Sequence, residues 1–156
     1  MSSRTTEDAA ATEALGAELA ARLEPGDVVL VAGEVGAGKT TLIRGACREL
    51  GVREPVVSPT FTIGRRYRGR IAISHLDLYR LAEAGIADEE PGLIDDYLTA
   101  DAVAFIEWPE VASGEPAVEP AQGTWRVLLR HAGGDRREIE IVAPAAPREP
   151  GASASG

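Results

Sequence analysis

The chain has 156 residues, with 16 Lys and Arg against 25 Asp and Glu, for a formal charge of −9. That length suits one domain with a single core, and no apolar run approaches the roughly 18 residues a membrane span needs. So acidic a balance argues against a chain that grips RNA or DNA by itself, and favours a protein partner. Met1 to Asp8 is polar and lacks the apolar stretch of a secretory signal. A single cysteine, Cys47, permits no internal disulfide, so the expectation is a cytoplasmic protein.

From Thr6 to Leu23 the residues Ala11, Leu15, Leu19 and Leu23 recur four apart and predict a helix, with Thr5 and Asp8 as a loose capping box. Glu24-Pro25-Gly26-Asp27 is a turn. Val28-Val29-Leu30-Val31-Ala32 is an unbroken apolar run, the pattern of a strand buried on both sheet faces.

The next stretch organises the chain. Gly33-Glu34-Val35-Gly36-Ala37-Gly38-Lys39-Thr40 fits G-x-x-x-x-G-K-[ST], the loop whose backbone N–H groups cradle nucleotide phosphates. Gly36 and Gly38 leave room for close approach of a phosphate. Lys39 supplies a point charge for β- and γ-phosphates, and the Thr40 hydroxyl suits Mg²⁺. Lys39 is the only lysine in the chain. A compact ammonium thus stands where a phosphate cradle calls for one, while every other strongly basic residue is an arginine fork. Leu42, Ile43, Ala46, Cys47 and Leu50 then follow helical spacing, with Gly51 at a C-cap position. The bland alternative, a glycine-rich turn that binds nothing, does not account for strand, loop and helix in this order.

Pro55 to Ile63 reads as a short strand broken by Ser58-Pro59-Thr60, because Pro59 cannot donate to a ladder. The hydroxyls of Ser58, Thr60 and Thr62 are then available to a site, or merely belong to a turn. Arg65-Arg66-Tyr67-Arg68-Gly69-Arg70 predicts a hairpin tip leading into Ile71-Ala72-Ile73-Ser74-His75. The four arginines fit either a phosphate-bearing partner or a solvated edge strand kept from aggregating by its charges. His75-Leu76-Asp77-Leu78-Tyr79-Arg80 puts an acidic residue at a strand end, where a metal or an attacking water is positioned; His75 itself also fits a satisfied core histidine. Residues 82–91 read as a short helix and loop, and Leu93, Ile94, Tyr97 and Leu98 as a second short helix.

Ala102-Val103-Ala104-Phe105-Ile106 is another fully apolar strand, with Glu107 and Trp108 directly at its end. Glu107 matches the metal-side acidic residue of a phosphate-loop fold. Trp108 fits either a partner surface or an ordinary core aromatic. Residues 109–123 read as a loop. Trp125, Val127 and Leu129, then Ile139 and Ile141, alternate about Gly133-Gly134 and predict a C-terminal antiparallel hairpin. The folded domain therefore runs over 1–143, and 144–156 reads as a disordered tail.

These motifs together resemble the TsaE (YjeE) family of ATPases of bacterial tRNA threonylcarbamoyladenosine synthesis. The resemblance is carried by the phosphate loop with Thr41, by Ser58-Pro59-Thr60-Phe61-Thr62, by His75 to Arg80, and by Ile106-Glu107-Trp108-Pro109-Glu110. It covers Thr6 to Val142. Glu34-Val35 stands where the family usually has Asp-Leu, and Leu76 where it usually has Phe. The resemblance implies a three-layer α/β phosphate-loop NTPase fold, its mainly parallel sheet extended by antiparallel strands. It implies ATP held by Gly36, Ala37, Gly38, Lys39, Thr40 and Thr41, with Mg²⁺ on Thr40 and Glu107. Lys39, Asp77 and Glu107 are the expected catalytic residues, and Ser58, Thr60, Thr62, His75, Tyr79, Arg80 and Trp108 the switch or partner residues. The first helix and an arginine of the Arg136-Arg137 turn are expected near the nucleotide. Expected partners are the TsaD and TsaB proteins, with tRNA met only within that complex and intrinsic ATPase activity weak. A small-molecule kinase is the alternative. A GTPase switch needs a second lysine for guanine recognition, which this chain lacks.

Overall fold

The computed structural model describes residues 2–34, 36–56, 64–77, 97–109 and 124–144, without the side chains of Trp108 and Pro109. Its centre is a seven-stranded sheet. In chain order the elements are β1 (Ser2–Thr6), α1 (Ala9–Ala20), β2 (Val28–Gly33), α2 (Lys39–Glu49), β3 (Gly64–Arg68), β4 (Ala72–Asp77), β5 (Ala102–Pro109), β6 (Thr124–His131) and β7 (Arg137–Val142). The spatial order is β1-β7-β6-β2-β5-β4-β3. Strands β6, β2, β5 and β4 run parallel, and antiparallel β7, β1 and β3 extend the two sides.

Alternation along the buried strands divides their side chains between two faces. Val29, Val31, Val103, Phe105, Val127 and Leu129 join the core that α1 and α2 cover with Leu15, Leu19, Leu42, Ile43 and Cys47. On the opposite face Val28, Leu30, Leu76 and Ile106 pack with Tyr97 and Leu98. Both faces are therefore apolar, which is why the central strands read as continuous hydrophobic runs. Burial pushes the Cys47 thiol up to about 12, so it packs as a small apolar side chain.

The N-terminus differs from expectation. Ser2–Thr6 is an edge strand paired with β7, a placement that five mostly exposed polar residues do not announce. Helix α1 accordingly starts later, at Ala9. Its N-cap is Asp8 rather than a Thr5 box, with the Asp8 carboxylate accepting from the Ala11 N–H at 2.9 Å. The arginine-rich stretch differs too. Arg65, Arg66 and Arg68 lie on β3 itself, an edge strand, and the tip falls at residues 69–71. The Glu24–Asp27 turn, the helix after the glycine loop and the C-terminal hairpin are as expected, while the C-cap of α2 is Leu50 and Gly51 follows it in a left-handed conformation (φ +95°). The readings on 57–63, 78–96, 110–123 and 145–156 lie outside the described residues.

Candidate functional site

The site forms where β2, β4 and β5 end on the same side, because a parallel sheet gathers the carboxyl ends of its strands there. β2 runs into the glycine loop, and α2 starts directly from Gly38, whose φ of +100° is a left-handed conformation open to glycine. Gly36 is likewise left-handed at +80°, and a Cβ there would meet nothing within 4 Å. The loop thus combines a helix N-terminus with an open flank, the arrangement that attracts anions.

Lys39 turns back over the loop. Its Nζ donates to the carbonyl oxygens of Gly33 (2.6 Å) and Glu34 (3.1 Å). Burial lowers the Lys39 pKa from that of a free amine, and the carboxylates of Glu107, Asp77 and Glu34 oppose that shift. All three carboxylates therefore act on this one ammonium.

The Thr40 Oγ1 donates to Glu107 Oε2 at 3.1 Å, joining the first turn of α2 to the end of β5. The same oxygen lies 2.6 Å from His75 Nε2, and both His75 and Glu107 are buried. Asp77 is the register partner of Glu107 on the neighbouring strand and, two residues beyond His75, shares its face. Lys39, Thr40, His75, Asp77 and Glu107 are thus one constellation. Ala37 is buried, and Gly36, Gly38 and Thr41 complete the loop and first turn. Among the described residues no group of three or more His, Cys, Asp or Glu could hold a metal ion. A hydroxyl and one carboxylate are nevertheless a fitting protein share for Mg²⁺, which keeps waters and takes phosphate oxygens for the rest. Ser58, Thr60, Thr62, Tyr79, Arg80 and the Trp108 side chain lie outside the described residues.

Arg137 is brought to the loop from the far end of the chain. Its Nε donates to the Ala37 carbonyl (3.1 Å) and its Nη2 to that of Gly36 (3.2 Å), while Nη1 holds Gly134 and Arg136 (2.8 Å each). In a planar trans peptide the carbonyl and the following N–H point opposite ways. An Ala37 carbonyl turned toward Arg137 therefore turns the Gly38 N–H to the other side. Thr12 of α1 also stands against Gly38, 3.8 Å from where its Cβ would be. The first helix and the Arg136-Arg137 turn, expected near the nucleotide, both lie beside the loop; of the two arginines Arg137 touches it, whereas Arg136 pairs with Glu7 at 3.3 Å. The grip on the loop's carbonyls was not foreseen. Its signal in the sequence is faint: an arginine just past a Gly-Gly turn, on a hairpin whose first strand pairs with the strand feeding the loop.

A glycine loop between a buried parallel strand and a helix, with a threonine and a strand-end glutamate meeting at its mouth, is a phosphate-loop NTPase arrangement. The fold agrees. The crystal structure of YdiB from Bacillus subtilis superposes with a TM-score of 0.71 at 29% identity, covering 92% of this chain and 86% of that one. Residues 6–139 match the model of the family described as Threonylcarbamoyl adenosine biosynthesis protein TsaE. Proteins named tRNA threonylcarbamoyladenosine biosynthesis protein TsaE are similar over most of their length. That of a Nostoc species is 51% identical over 137 residues, 86% of this chain and 82% of the relative. That of Bacillus subtilis is 36% identical over 133 residues, 85% and 79% respectively, and that of Treponema pallidum 35% over 141, 90% and 97%. The chain belongs to the TsaE family.

Proposed function

We propose that this protein is the ATP-binding and ATP-hydrolysing subunit of the machinery that threonylcarbamoylates the adenosine next to the anticodon of tRNA, working with TsaD and TsaB. The observation that carries the reading is the Thr40–Glu107–His75 chain at the N-terminus of α2, beside a partly buried lysine. Gly36 to Thr41 would hold the phosphates by backbone N–H groups, with Lys39 leaving the Gly33 and Glu34 carbonyls for the β- and γ-phosphates. Thr40 and Glu107 would hold Mg²⁺, which would supply positive charge against the charge developing on the phosphates. Asp77, at the open end of β4, would position the attacking water. Ser58, Thr60, Thr62, His75, Tyr79, Arg80 and Trp108 belong to the part that senses the γ-phosphate or faces the partners.

Apart from Asp77 the motifs offer no water-activating residue, and the described arginine nearest the loop, Arg137, is engaged by its carbonyls. The isolated chain is therefore a weak ATPase awaiting groups from its partners; in other phosphate-loop enzymes a supplied arginine raises turnover by about 10³ to 10⁵. ATPase rates with and without TsaD, TsaB and tRNA test this. Stimulation of ten-fold or more is expected, and an equal rate in the isolated chain refutes partner activation. Phosphoryl transfer to a small acceptor would instead support the kinase alternative.

A further inference from the structure

We propose that Thr6 and Thr12 are positioning residues of the phosphate loop: their paired hydroxyls fix the distance between α1 and the strand edge that carries Arg137. The two residues are 5% and 2% exposed, and their Oγ1 atoms lie 2.7 Å apart, one hydroxyl donating to the other. His75 and Glu107, also buried and polar, belong to the site itself. The threonine pair stands apart from them, and it closes no helix end, because the N-cap of α1 is Asp8. Two valines would fill the same space without burying polar atoms, an exchange that is nearly neutral for stability. What the hydroxyls add is a distance. Hydrogen-bonded oxygens approach to about 2.7 Å, whereas methyl carbons settle at about 3.5–4.0 Å. Methyls in their place would move β1 and α1 apart by roughly 1 Å.

That distance reaches the loop through both partners. Thr6 is the last residue of β1 and the register partner of Arg137, the first of β7. Opposed residues of an antiparallel pair share a face, so the Arg137 and Thr6 side chains both turn toward the side that α1 covers. Thr12 approaches the loop itself. Its Cγ2 and Arg137 Nε each lie 3.8 Å from where a Cβ on Gly38 would stand, and Leu129 Cδ2 lies 3.5 Å from it. The left-handed Gly38, which leads into Lys39, is therefore flanked by side chains from α1, β6 and β7.

Two of these flanks are set by the middle of the fold. Helix α1 is seated on α2 through Gly16 and Gly45, and Leu129 stands on β6, beside β2. Strand β7 lies near the edge of the sheet, with β1 outside it. The hydroxyl pair fixes this outer part to α1, and with it the guanidinium that holds the Gly36 and Ala37 carbonyls. Arg4 with Glu18 (3.0 Å) and Arg136 with Glu7 (3.3 Å) span the same gap, but their side chains are more than half exposed. Such pairs hold geometry weakly, because water screens them and long side chains resist being fixed. The short, buried threonine pair is the stiffer tie.

Because the proposal rests on reading Gly36 to Thr41 as a nucleotide loop, its test includes a readout that needs no nucleotide. This is the amide exchange of Ala37 and Leu42, whose N–H groups donate to the Glu34 and Gly38 carbonyls at 3.0 and 2.9 Å. NMR measures it beside ATP titrations and melting curves. Thr6→Val/Thr12→Val should melt near wild type. It should nevertheless exchange at least five-fold faster at Ala37 and bind ATP at least five-fold more weakly, since a 1 Å displacement can cost up to about 10². Thr6→Ser keeps the hydroxyl and should keep wild-type values. Added to Arg137→Ala, the valine pair should cost less than about two-fold more, because the group it displaces is already gone. Should the valine pair unfold the chain, Thr6→Ala beside Thr6→Ser carries the same comparison. Wild-type exchange and affinity in the valine variant, losses that simply multiply with those of Arg137→Ala, or a lower melting temperature with unaltered Ala37 exchange overturns the proposal. Failure of the wild-type chain to bind ATP would instead count against the ATPase reading, and the exchange of Ala37 would still decide this one.

Discussion

His75 Nε2 and Glu107 Oε2 lie 2.6 Å apart, with side chains 0% and 5% exposed. His75 Nδ1 is buried and has no hydrogen-bond partner among the described residues. The pair is best served when Nε2 carries the proton and donates it to Glu107, leaving Nδ1 as a bare lone pair. Glu107 Oε2 then accepts from Thr40 on one side and His75 on the other, which holds one carboxylate orientation.

The expected consequence concerns metal dependence. His75→Ala should raise the Mg²⁺ concentration for half-maximal turnover about ten-fold, within the range for lost support of a metal ligand. His75→Gln, which keeps an N–H donor, should lose less. A purely structural role predicts lower melting temperatures for both variants with unchanged Mg²⁺ dependence. Magnesium titrations of turnover, read beside melts, separate the two.

Arg137 yields a second prediction, because its bonds to Gly36 and Ala37 orient the peptides of the loop. Hydrogen bonds from a charged donor contribute about 1.5–3 kcal/mol each. Arg137→Ala should therefore weaken ATP binding by at least ten-fold, and Arg137→Lys should not restore it, since one ammonium cannot span four carbonyls. Nucleotide titration of both variants checks this. An affinity equal to wild type would show that the loop holds its shape unaided.

How far the sequence disclosed this site follows from where its determinants sit. The cradle and its helix are local: eight consecutive residues and a 3.6-residue period encode them, so both were legible. Glu107 was legible because a fully apolar strand announces its own end. The Thr40–Glu107 contact spans 67 residues, and the Arg137–Ala37 contact 100, so neither leaves a local pattern. β1 was missed for a related reason. Its residues gain their strand only by pairing with β7, and an exposed edge needs no apolar alternation.

Lys39 links protonation to both binding and stability. Burial lowers its folded pKa, so the unfolded chain holds this proton at pH values where the folded chain has released it. Stability from this group therefore rises with pH between the folded value and the ordinary 10.5. ATP affinity should fall over the same window, as the cradle loses its positive charge. Lys39→Ala should abolish the alkaline fall in affinity together with most of the binding, while the protein stays folded. Titrations and melts from pH 7 to pH 10 measure both slopes; a Lys39→Ala variant with wild-type turnover would refute the phosphate-loop assignment.

The last prediction concerns the contact that supports the loop from behind. Helices α1 and α2 cross at Gly16 and Gly45. A Cβ on Gly45 would fall well inside van der Waals distance of the Glu13 carbonyl oxygen, and one on Gly16 would do the same to that of Leu42. Both obstacles are backbone, which no rotamer change can clear, so the helices would have to separate. Separation would also disturb Glu13, which ties Arg44 and Arg48 to α1, and Thr12, which stands against Gly38. Gly45→Ala removes a poor helix former, a gain of about 1 kcal/mol. Against that, overpacking costs about 1–3 kcal/mol and more where backbone must move. The sum should favour loss, a fall in melting temperature of roughly 4–8 °C for a net cost near 2 kcal/mol. ATP affinity should fall with it, because α2 carries Lys39 and Thr40 on its first turn. Calorimetry of Gly45→Ala beside Gly16→Ala decides the matter: a variant as stable as wild type would mean that the helices do not meet as closely as the structure has them.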